Sequence, residues 1–197
     1  MVEPVTAEGG PVRPAEPLDP HQPIQQAERV GGGVRAWLNA ADLATYRAVR
    51  SLATDEARVA SVKRFSKLGE HGAVWLAVGV AGMLVDRRRR AAWRRATITV
   101  GASYLTSTAV KLAIGRRRPV VEDLPQLMVT PTGLSFPSSH STSSFAAARA
   151  YGALLPPALL YATAVPMAVS RLYLGVHYPS DVLAGAALGT VLGSLGR

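Results

Sequence analysis

The sequence SRLYLGVHYPSD at residues 170–181 places an arginine, a histidine and an aspartate between two apolar segments. His177 follows Arg171 by six positions, and Asp181 follows His177 by four, just after Pro179. Because proline is favoured in the first turn of a helix, we predict that a helix begins at Pro179 and holds Asp181 in its first turn. A carboxylate there can accept a hydrogen bond from one imidazole nitrogen, which leaves the other nitrogen free to act as a nucleophile.

A second polar segment, KLAIGRRRP, begins at Lys111 and ends at Pro119. Lys111 and Arg118 are seven residues apart, about two helical turns. They are therefore expected on the same side of a helix if that helix continues through Gly115. Pro119 is expected to end the helix. A lysine near the end of a membrane helix is costly unless it reaches the interface or pairs with an anion.

A third segment, PSSH, covers residues 137–140 and precedes an apolar run. Ser138 and Ser139 are candidates for the N-cap of a helix, where free backbone N–H groups and the positive end of the dipole attract anions. His140 could then donate a proton to a departing oxygen. A plain capping role for the serines is the alternative interpretation.

The three segments together supply cations, a nucleophile and an acid, which are the groups that hold and transfer a phosphoryl group. Zinc is a weaker alternative, since the sequence contains neither a His-x₃-His pair nor an HExxH motif, and the surrounding cations repel a metal. We therefore predict a phosphatase that needs no metal or other cofactor.

Charge and composition favour a membrane over nucleic acid as the partner. The 197-residue chain has a net charge of +9 and no cysteine, which excludes disulfides and thiol catalysis. Its basic residues lie between apolar stretches, with no RNA-binding aromatic motif or zinc-finger spacing nearby. The N-terminus also lacks the basic and then apolar order of a signal peptide.

The chain is predicted to contain three parts. Residues 1–33 hold six of the 14 prolines and are expected to be a disordered tail. Residues 34–67 are expected to form an amphipathic helix and a connector, and residues 68–197 the phosphatase domain. In the first helix, an apolar face is expected from Trp37, Leu38, Ala41, Tyr46, Val49 and Leu52. The polar residues Arg35, Asn39, Asp42, Arg47 and Arg50 are expected to fill the rest, so that the helix lies on the membrane or on the bundle.

Five apolar blocks follow, each slightly shorter than the ~20 residues that cross a bilayer. They cover residues 72–85, 96–114, 141–155, 158–169 and 182–195. The predicted fold is all-α, an integral membrane bundle of about five transmembrane helices, and the alternative is a buried helical core of a soluble protein. Gly185, Gly189 and Gly193 recur every four residues, a stripe that favours close helix packing.

The arginines between the first two apolar blocks predict how the helical bundle is oriented in the membrane. They are Arg87, Arg88, Arg89, Arg90, Arg94 and Arg95, and the positive-inside rule places their loop in the cytoplasm. Alternation then places all three polar segments on the opposite face. Lys63, Arg64 and Lys67 oppose this assignment, and Arg116 and Arg117 are interpreted as anchors at the membrane interface.

The chain resembles the type 2 phosphatidic acid phosphatase family, whose fold is shared with vanadium-dependent haloperoxidases. The family signature is Lys-x₆-Arg-Pro, Pro-Ser-Gly-His and Ser-Arg-x₅-His-x₃-Asp. The matching residues here are Lys111, Arg118, Pro119, Pro137, Ser138, His140, Ser170, Arg171, His177 and Asp181. Ser139 replaces the glycine, which matters only if that position requires a positive φ.

The resemblance implies a role for most of these residues and for Ser139. His177 would be the nucleophile that forms a phosphohistidine, Asp181 would orient it, and His140 would be the general acid. The phosphate oxygens would be held by Lys111, Arg118, Arg171, the Ser138 hydroxyl and the Ser139 backbone N–H. The substrate would be a phosphorylated lipid.

Within the family, the chain is similar to a small actinobacterial branch that includes decaprenylphosphoryl-5-phosphoribose phosphatases of arabinan synthesis. The similar stretches are residues 65–72, 131–141 and 168–185. Glu70 and His71 could line the substrate entry or form a helix cap and its neighbour. The substrate alternatives are undecaprenyl pyrophosphate, phosphatidic acid and phosphatidylglycerol phosphate.

Two alternatives belong to other classes of function. One is a non-catalytic protein that binds or transports lipid phosphates, against which the complete set of His140, His177 and Asp181 argues. The other is haloperoxidase chemistry on bound vanadate, against which the apolar blocks argue.

Overall fold

A computed structural model describes residues 33–197, and every regular element in that range is helical apart from one isolated bridge between Arg117 and Leu134. The α-helices are α1 Val34–Arg50, α2 Glu56–Leu68, α3 Ala73–Val85, α4 Arg90–Ile114, α5 Ser139–Tyr151, α6 Pro157–Tyr173 and α7 Pro179–Gly193. Short 3₁₀ turns cover Glu70–Gly72, Arg87–Arg89 and Ser194–Gly196. The predicted all-α class is confirmed for this range.

The chain divides into two units, Met1–Asn39 and Ala40–Arg197, and the packing described here belongs to the second unit. The predicted disordered tail falls, except for Gly33, outside the described residues. The three-part division of the chain stays a prediction.

Each of the five apolar blocks predicted from the sequence lies largely in one of the helices α3 to α7. Among the described residues, no helix alone combines the length and apolar character needed to cross a bilayer. Glu56–Leu68 and Glu70–Val85, which meet at a bend of 43°, meet that standard only when taken together. The number of transmembrane spans therefore stays a prediction.

Helix α5 lies in the middle of the bundle and is buried along most of its length. At its C-terminal end the Tyr151 hydroxyl donates a hydrogen bond to the Trp75 carbonyl oxygen at 2.9 Å. The Trp75 indole N–H donates in turn to the Ser144 hydroxyl at 2.9 Å. These bonds satisfy the polar ends of large buried side chains, which would otherwise be costly to remove from water.

The predicted glycine stripe of α7 packs directly against α5. A Cβ atom added at Gly185 would lie 2.6 Å from the Ser138 carbonyl oxygen, and one at Gly193 would lie 2.6 Å from the Ala146 carbonyl oxygen. Gly189 meets the Thr142 carbonyl even more closely. The stripe therefore lets two helix backbones touch, which holds the starts of α5 and α7 side by side.

Helix α1 is confirmed, but the predicted division into an apolar and a polar face is wrong at several positions. Tyr46 is buried as expected, whereas Asp42 and Arg50 are also buried and Leu52 is exposed. The polar residues turn inward because they find partners there. Arg50 donates to the Pro125 carbonyl oxygen at 2.7 Å, and Asp42 accepts a hydrogen bond from a backbone N–H of α7.

Helix α4 ends at Ile114, so the expectation that it continues to Pro119 is wrong. Gly115 follows with φ +68°, and its N–H bonds to the Lys111 carbonyl oxygen. This left-handed cap, which glycine adopts at little cost, turns the chain out of the helix. Lys111 and Arg118 thus do not share a helix face, and Arg118 lies in the long loop between α4 and α5.

Candidate active site

The three polar segments meet at one end of the bundle because each lies where a helix begins or ends. Lys111 is in the last turn of α4 and Arg171 in the last turn of α6. Ser138 is the N-cap of α5, and Asp181 is in the first turn of α7, as predicted. His177 lies in the short connection between α6 and α7.

The His177 side chain is almost fully buried, with 2% of its surface exposed. Its Nε2 lies 3.3 Å from Nη1 of Arg118, and a guanidinium can only donate, so Nε2 is the acceptor and Nδ1 holds the proton. Nδ1 is 3.5 Å from the Asp181 carboxylate, which is longer than a normal hydrogen bond. Asp181 thus lies beside the ring nitrogen opposite the one available for attack.

The surroundings of His177 favour its neutral form. Burial lowers the pKa of His177 well below its usual range, and the positive charges of Arg118, Arg171 and Lys111 lower this pKa further. Burial also lowers the pKa of Arg118 to about 10, which leaves its guanidinium charged at neutral pH. A neutral imidazole therefore lies among cations, which is the state a nitrogen nucleophile needs.

Two of the cations, Lys111 and Arg118, are held by backbone carbonyl groups. Lys111 donates to the carbonyl oxygens of Ser135 at 3.1 Å and Pro137 at 2.8 Å. Arg118 donates to the carbonyl oxygen of Val176 at 2.6 Å through Nη1 and to that of Thr132 at 2.9 Å through Nε. Neutral acceptors therefore fix both side chains without cancelling their charge.

Arg171 also donates to neutral acceptors, but these are side chains: the Ser66 hydroxyl at 2.6 Å and the Met128 sulfur at 3.3 Å. Its Nε is buried without a hydrogen-bond partner among the described residues. Lys111, Arg118 and Arg171 are here called the cation cluster. Within residues 33–197, no carboxylate forms an ion pair with any of the three. The cluster therefore holds buried positive charge that an anion would balance.

A cavity of about 120 Å³, here called the site cavity, opens onto this cluster. Ser139, His140 and all three cations line it, whereas Ser138, His177 and Asp181 do not. Glu70 and His71 also line it, which favours the interpretation that they flank the substrate entry. Arg118 lies between His177 and the site cavity, because it contacts His177 Nε2 and also lines the cavity.

The start of α5 shows the capping role that was the alternative interpretation of its serines, and anion binding there stays a prediction. The Ser138 side chain caps the helix by accepting a hydrogen bond from the Ser141 N–H. Ser139 does not have a positive φ, so replacing the family glycine with serine causes no backbone strain there. His140 Nε2 lies 3.2 Å from the Ser66 carbonyl oxygen, which can only accept, so Nε2 carries the proton.

Sequence reasoning did not assign Ser66, which proves to be central. It is fully buried on α2, and its hydroxyl contacts Arg171 and the Ser170 hydroxyl while its carbonyl contacts His140. In the sequence, residues 65–72 show only a similarity to one branch of the family. A single serine in a mixed helix gives no spacing signal by which it could be found.

Arg116 forms buried ion pairs, so the prediction that it is an interfacial anchor is wrong. Its Nη1 donates to Asp181 at 2.8 Å and its Nη2 donates to Asp42 at 2.8 Å. The guanidinium carbon lies 4.3 Å from the centre of the Tyr178 ring, a cation–π contact. Asp181 accepts a further bond from the Tyr178 N–H at 2.8 Å. Arg116 thus ties the carboxylate beside His177 to helix α1.

Comparison with known proteins shows which family the chain belongs to. The model of the PAP2 superfamily matches residues 92–196. Decaprenylphosphoryl-5-phosphoribose phosphatase of Mycobacterium tuberculosis strain CDC 1551 is 39% identical over 162 residues, which cover 78% of this chain and 88% of the relative. Lipid A 1-phosphatase of Rhizobium etli is 39% identical over 99 residues, 46% of this chain and 43% of the relative.

A solved structure is similar in fold as well. It is that of a transmembrane PAP2-type phosphatidylglycerolphosphate phosphatase from Bacillus subtilis, with a TM-score of 0.66, 25% identity, and coverage of 88% of this chain and 89% of that one. The chain belongs to the PAP2 superfamily. It is a phosphatase of the phosphoric monoester hydrolase class, and its relatives support a location in the membrane.

We predict that Arg116→Gln lowers stability far more than Arg117→Gln does. Removing Arg116 leaves two buried carboxylates without their cation, which costs about 3 kcal/mol. Arg117 is exposed and forms no ion pair within residues 33–197, so its loss should change little. Thermal unfolding of the two variants in the same detergent makes the comparison, and equal melting temperatures would contradict the assigned network.

Proposed function

We propose that the chain hydrolyses a phosphomonoester, or a pyrophosphate, on a polyprenyl-linked or glycerolipid substrate through a phosphohistidine at His177. The observation that best supports this is the cation cluster, three buried cations without a carboxylate partner within residues 33–197, in contact with a neutral histidine. A phosphate group supplies the missing negative charge, and its phosphorus is the electrophile that an imidazole nitrogen attacks.

In the first step, the phosphate enters the site cavity and its oxygens bind the cation cluster, the Ser138 hydroxyl and the Ser139 backbone N–H. The N–H of Arg118 that now bonds to His177 Nε2 turns to the anion and releases the nitrogen lone pair. Nε2 attacks phosphorus and the bond to the leaving oxygen breaks. His140 enters this step as the imidazolium and gives that oxygen the proton of Nδ1, while its Nε2–H stays bonded to the Ser66 carbonyl oxygen, so the lipid leaves as an alcohol.

In the second step, water attacks the phosphohistidine. His140 accepts a proton from the water, the phosphorus–nitrogen bond breaks, and inorganic phosphate leaves with Nε2 restored. Asp181 stabilises the positive charge on the imidazole ring while the phosphoryl group is attached, because its carboxylate lies beside Nδ1. The cation cluster lowers the barrier of both steps by stabilising the equatorial oxygens, which is the main contribution a protein makes to phosphoryl transfer.

The mechanism as proposed uses no metal. The residues in contact with the substrate phosphate are themselves cationic and can perform the charge stabilisation that a divalent ion provides elsewhere. Within residues 33–197, no three His, Asp or Glu side chains are grouped closely enough to ligate an ion.

The membrane arrangement we propose is multi-pass, with the site on the non-cytoplasmic face. Helix α4 begins at the arginine-rich turn and ends beside the site, and Arg90 and Lys111 are separated by roughly 30 Å along its axis. The uncharged part of α4 between Arg95 and Lys111 is shorter, about 24 Å, so in the proposed arrangement the arginines and the lysine lie at opposite interfaces of the bilayer. The arginine-rich end then faces the cytoplasm by the positive-inside rule, and the cation cluster faces the other side.

For the substrate, we propose decaprenylphosphoryl-5-phosphoribose, on the strength of the mycobacterial relative, which this chain matches over 88% of that protein's length. Undecaprenyl pyrophosphate, phosphatidic acid and phosphatidylglycerol phosphate are the alternatives. The site cavity binds the terminal phosphate, which all of these lipids share. Selectivity among the lipids must therefore come from contacts with the rest of each molecule.

The test is phosphate release from these four lipids by the detergent-purified protein with a chelator present. We expect release from at least one lipid, fastest from decaprenylphosphoryl-5-phosphoribose, and a loss of more than about a thousandfold in His177→Ala. His71→Ala is the comparison, since His71 lines the site cavity at the proposed substrate entry but has no role in the chemistry, so its loss should change KM rather than abolish phosphate release.

The outcomes distinguish the proposed phosphatase from a protein that only binds lipid phosphates. Lipid bound equally by wild type and His177→Ala, with no phosphate released by either, would favour a non-catalytic lipid-phosphate binder. Release that survives in His177→Ala would instead exclude this histidine as the nucleophile.

The pH dependence of kcat/KM should reflect the lowered pKa of His177. The reaction needs the neutral imidazole, so its contribution to the acid limb should fall below the ordinary histidine pKa of about 6.5. Arg118→Gln removes one of the charges that depress this pKa, so the acid limb should move to higher pH while the maximum rate falls. The substrate titrates identically with both proteins, so only the shift between them counts, and an unmoved limb would contradict the assignment.

A further inference from the structure

A second and much larger cavity, of about 950 Å³, adjoins the site cavity and has no part in the mechanism above. We call it the vestibule. It is bounded by one face of α2 and by the loop between α4 and α5, and Lys67, Arg118, Met128, Val129, Thr130 and Thr132 line both cavities. Its volume lies within the range of small-molecule binding pockets.

The vestibule has a strongly positive lining. Lys63 and Lys67 are four residues apart on α2 and so lie on one face of that helix, while Arg117 comes from the loop. Among the described residues, no aspartate or glutamate lines the vestibule. Within residues 33–197, none of these three cations forms an ion pair. They are therefore available to an anionic ligand.

The loop that forms the other wall is held by several hydrogen bonds. Arg118 donates to the Thr132 carbonyl oxygen at 2.9 Å, and the Gln126 side chain donates to the Pro119 carbonyl oxygen at 2.9 Å. The Leu127 N–H bonds to a carbonyl oxygen at the end of α6 at 3.0 Å. These hydrogen bonds fix the loop, so the vestibule is a preformed cavity.

Apolar side chains lie among the cations. Val120 and Val129 are almost completely exposed, and Leu127 and Met128 complete the apolar part of the lining. A ligand with an anionic group next to a hydrocarbon chain would match both parts. A free inorganic anion would use only the cations.

We propose that the vestibule binds a second phosphate of the same substrate molecule, namely the phosphodiester that links the sugar to the lipid chain. This inference rests on the proposed function and specifies its substrate class. The name of the mycobacterial relative's substrate describes such a molecule, with a phosphoryl link to decaprenol and a 5-phosphate on the ribose. With the 5-phosphate on the cation cluster, the diester phosphate binds Lys63 and Arg117, and the first part of the chain contacts the valines.

The test compares two lipids that differ only in the second phosphate. One is a prenylphosphoryl-5-phosphoribose, and the other is the matching prenyl 5-phosphoriboside, in which the chain is joined directly to the sugar. The variant is the double change Lys63→Gln and Arg117→Gln. Arg64→Gln is the matched control, because Arg64 is exposed on α2 but lines neither cavity.

We expect the double variant to lower kcat/KM about tenfold for the diester lipid, mainly through KM, and less than about threefold for the riboside. Arg64→Gln should change neither value. An equal loss on both lipids would overturn the inference, because it would mean that the cations attract anionic lipid or micelle surface in general. No loss on either lipid would overturn it as well.

Affinity is measured separately, by binding both lipids to His177→Ala, in which the proposed chemistry cannot occur. Tighter binding of the diester lipid that disappears with the double change supports the vestibule assignment, whether or not wild type turns the lipid over. Turnover by wild type without such a preference overturns the vestibule assignment and leaves the phosphatase proposal standing. The two proposals can therefore fail independently.

Discussion

The constraint on which this site depends is the burial of three cations that have no carboxylate partner within residues 33–197. Lys111, Arg118 and Arg171 bond instead to backbone carbonyls, a hydroxyl and a thioether, all of which satisfy donors without cancelling charge. Removing a charge from water is expensive, so the folded chain must offset this cost elsewhere. A bound phosphate would recover it, which gives substrate binding and transition-state stabilisation a common physical origin.

The rest of the fold makes this arrangement possible by bringing helix ends together. The glycine stripe of α7 touches the backbone of α5, so Asp181 and Ser138 begin neighbouring helices, and the Ser138 N–H bonds to the Asp181 carbonyl oxygen at 3.0 Å. Arg116 forms an ion pair with the buried carboxylate of Asp181, which lies beside His177. Asp181 pairs with Arg116 and, within residues 33–197, forms no ion pair with the cation cluster, which stays available to the substrate.

Much of the site could be predicted because its residues lie at the edges of apolar segments, where hydropathy and helix capping both mark the position. The helix start at Pro179 and the cap at Ser138 followed from those rules. Arg116 and Arg117 could not be told apart, since two adjacent identical side chains differ only in the direction the loop gives them. That direction depends on the left-handed cap at Gly115, and a glycine within a helical pattern does not by itself show that the helix ends there. Asp42 lies inward because it pairs with Arg116 and a backbone N–H of α7, which are distant in the sequence. No spacing rule predicts such contacts.

The central claim, that the buried histidine among these cations becomes phosphorylated, is tested most directly by trapping the intermediate. The protein would be mixed with lipid labelled in the departing phosphate, quenched in alkali within the first turnover, and digested for peptide mapping. The account predicts label that is stable in alkali, is lost in acid and lies on the peptide containing His177. Full turnover with no label on the protein, or label on any other residue, would contradict it.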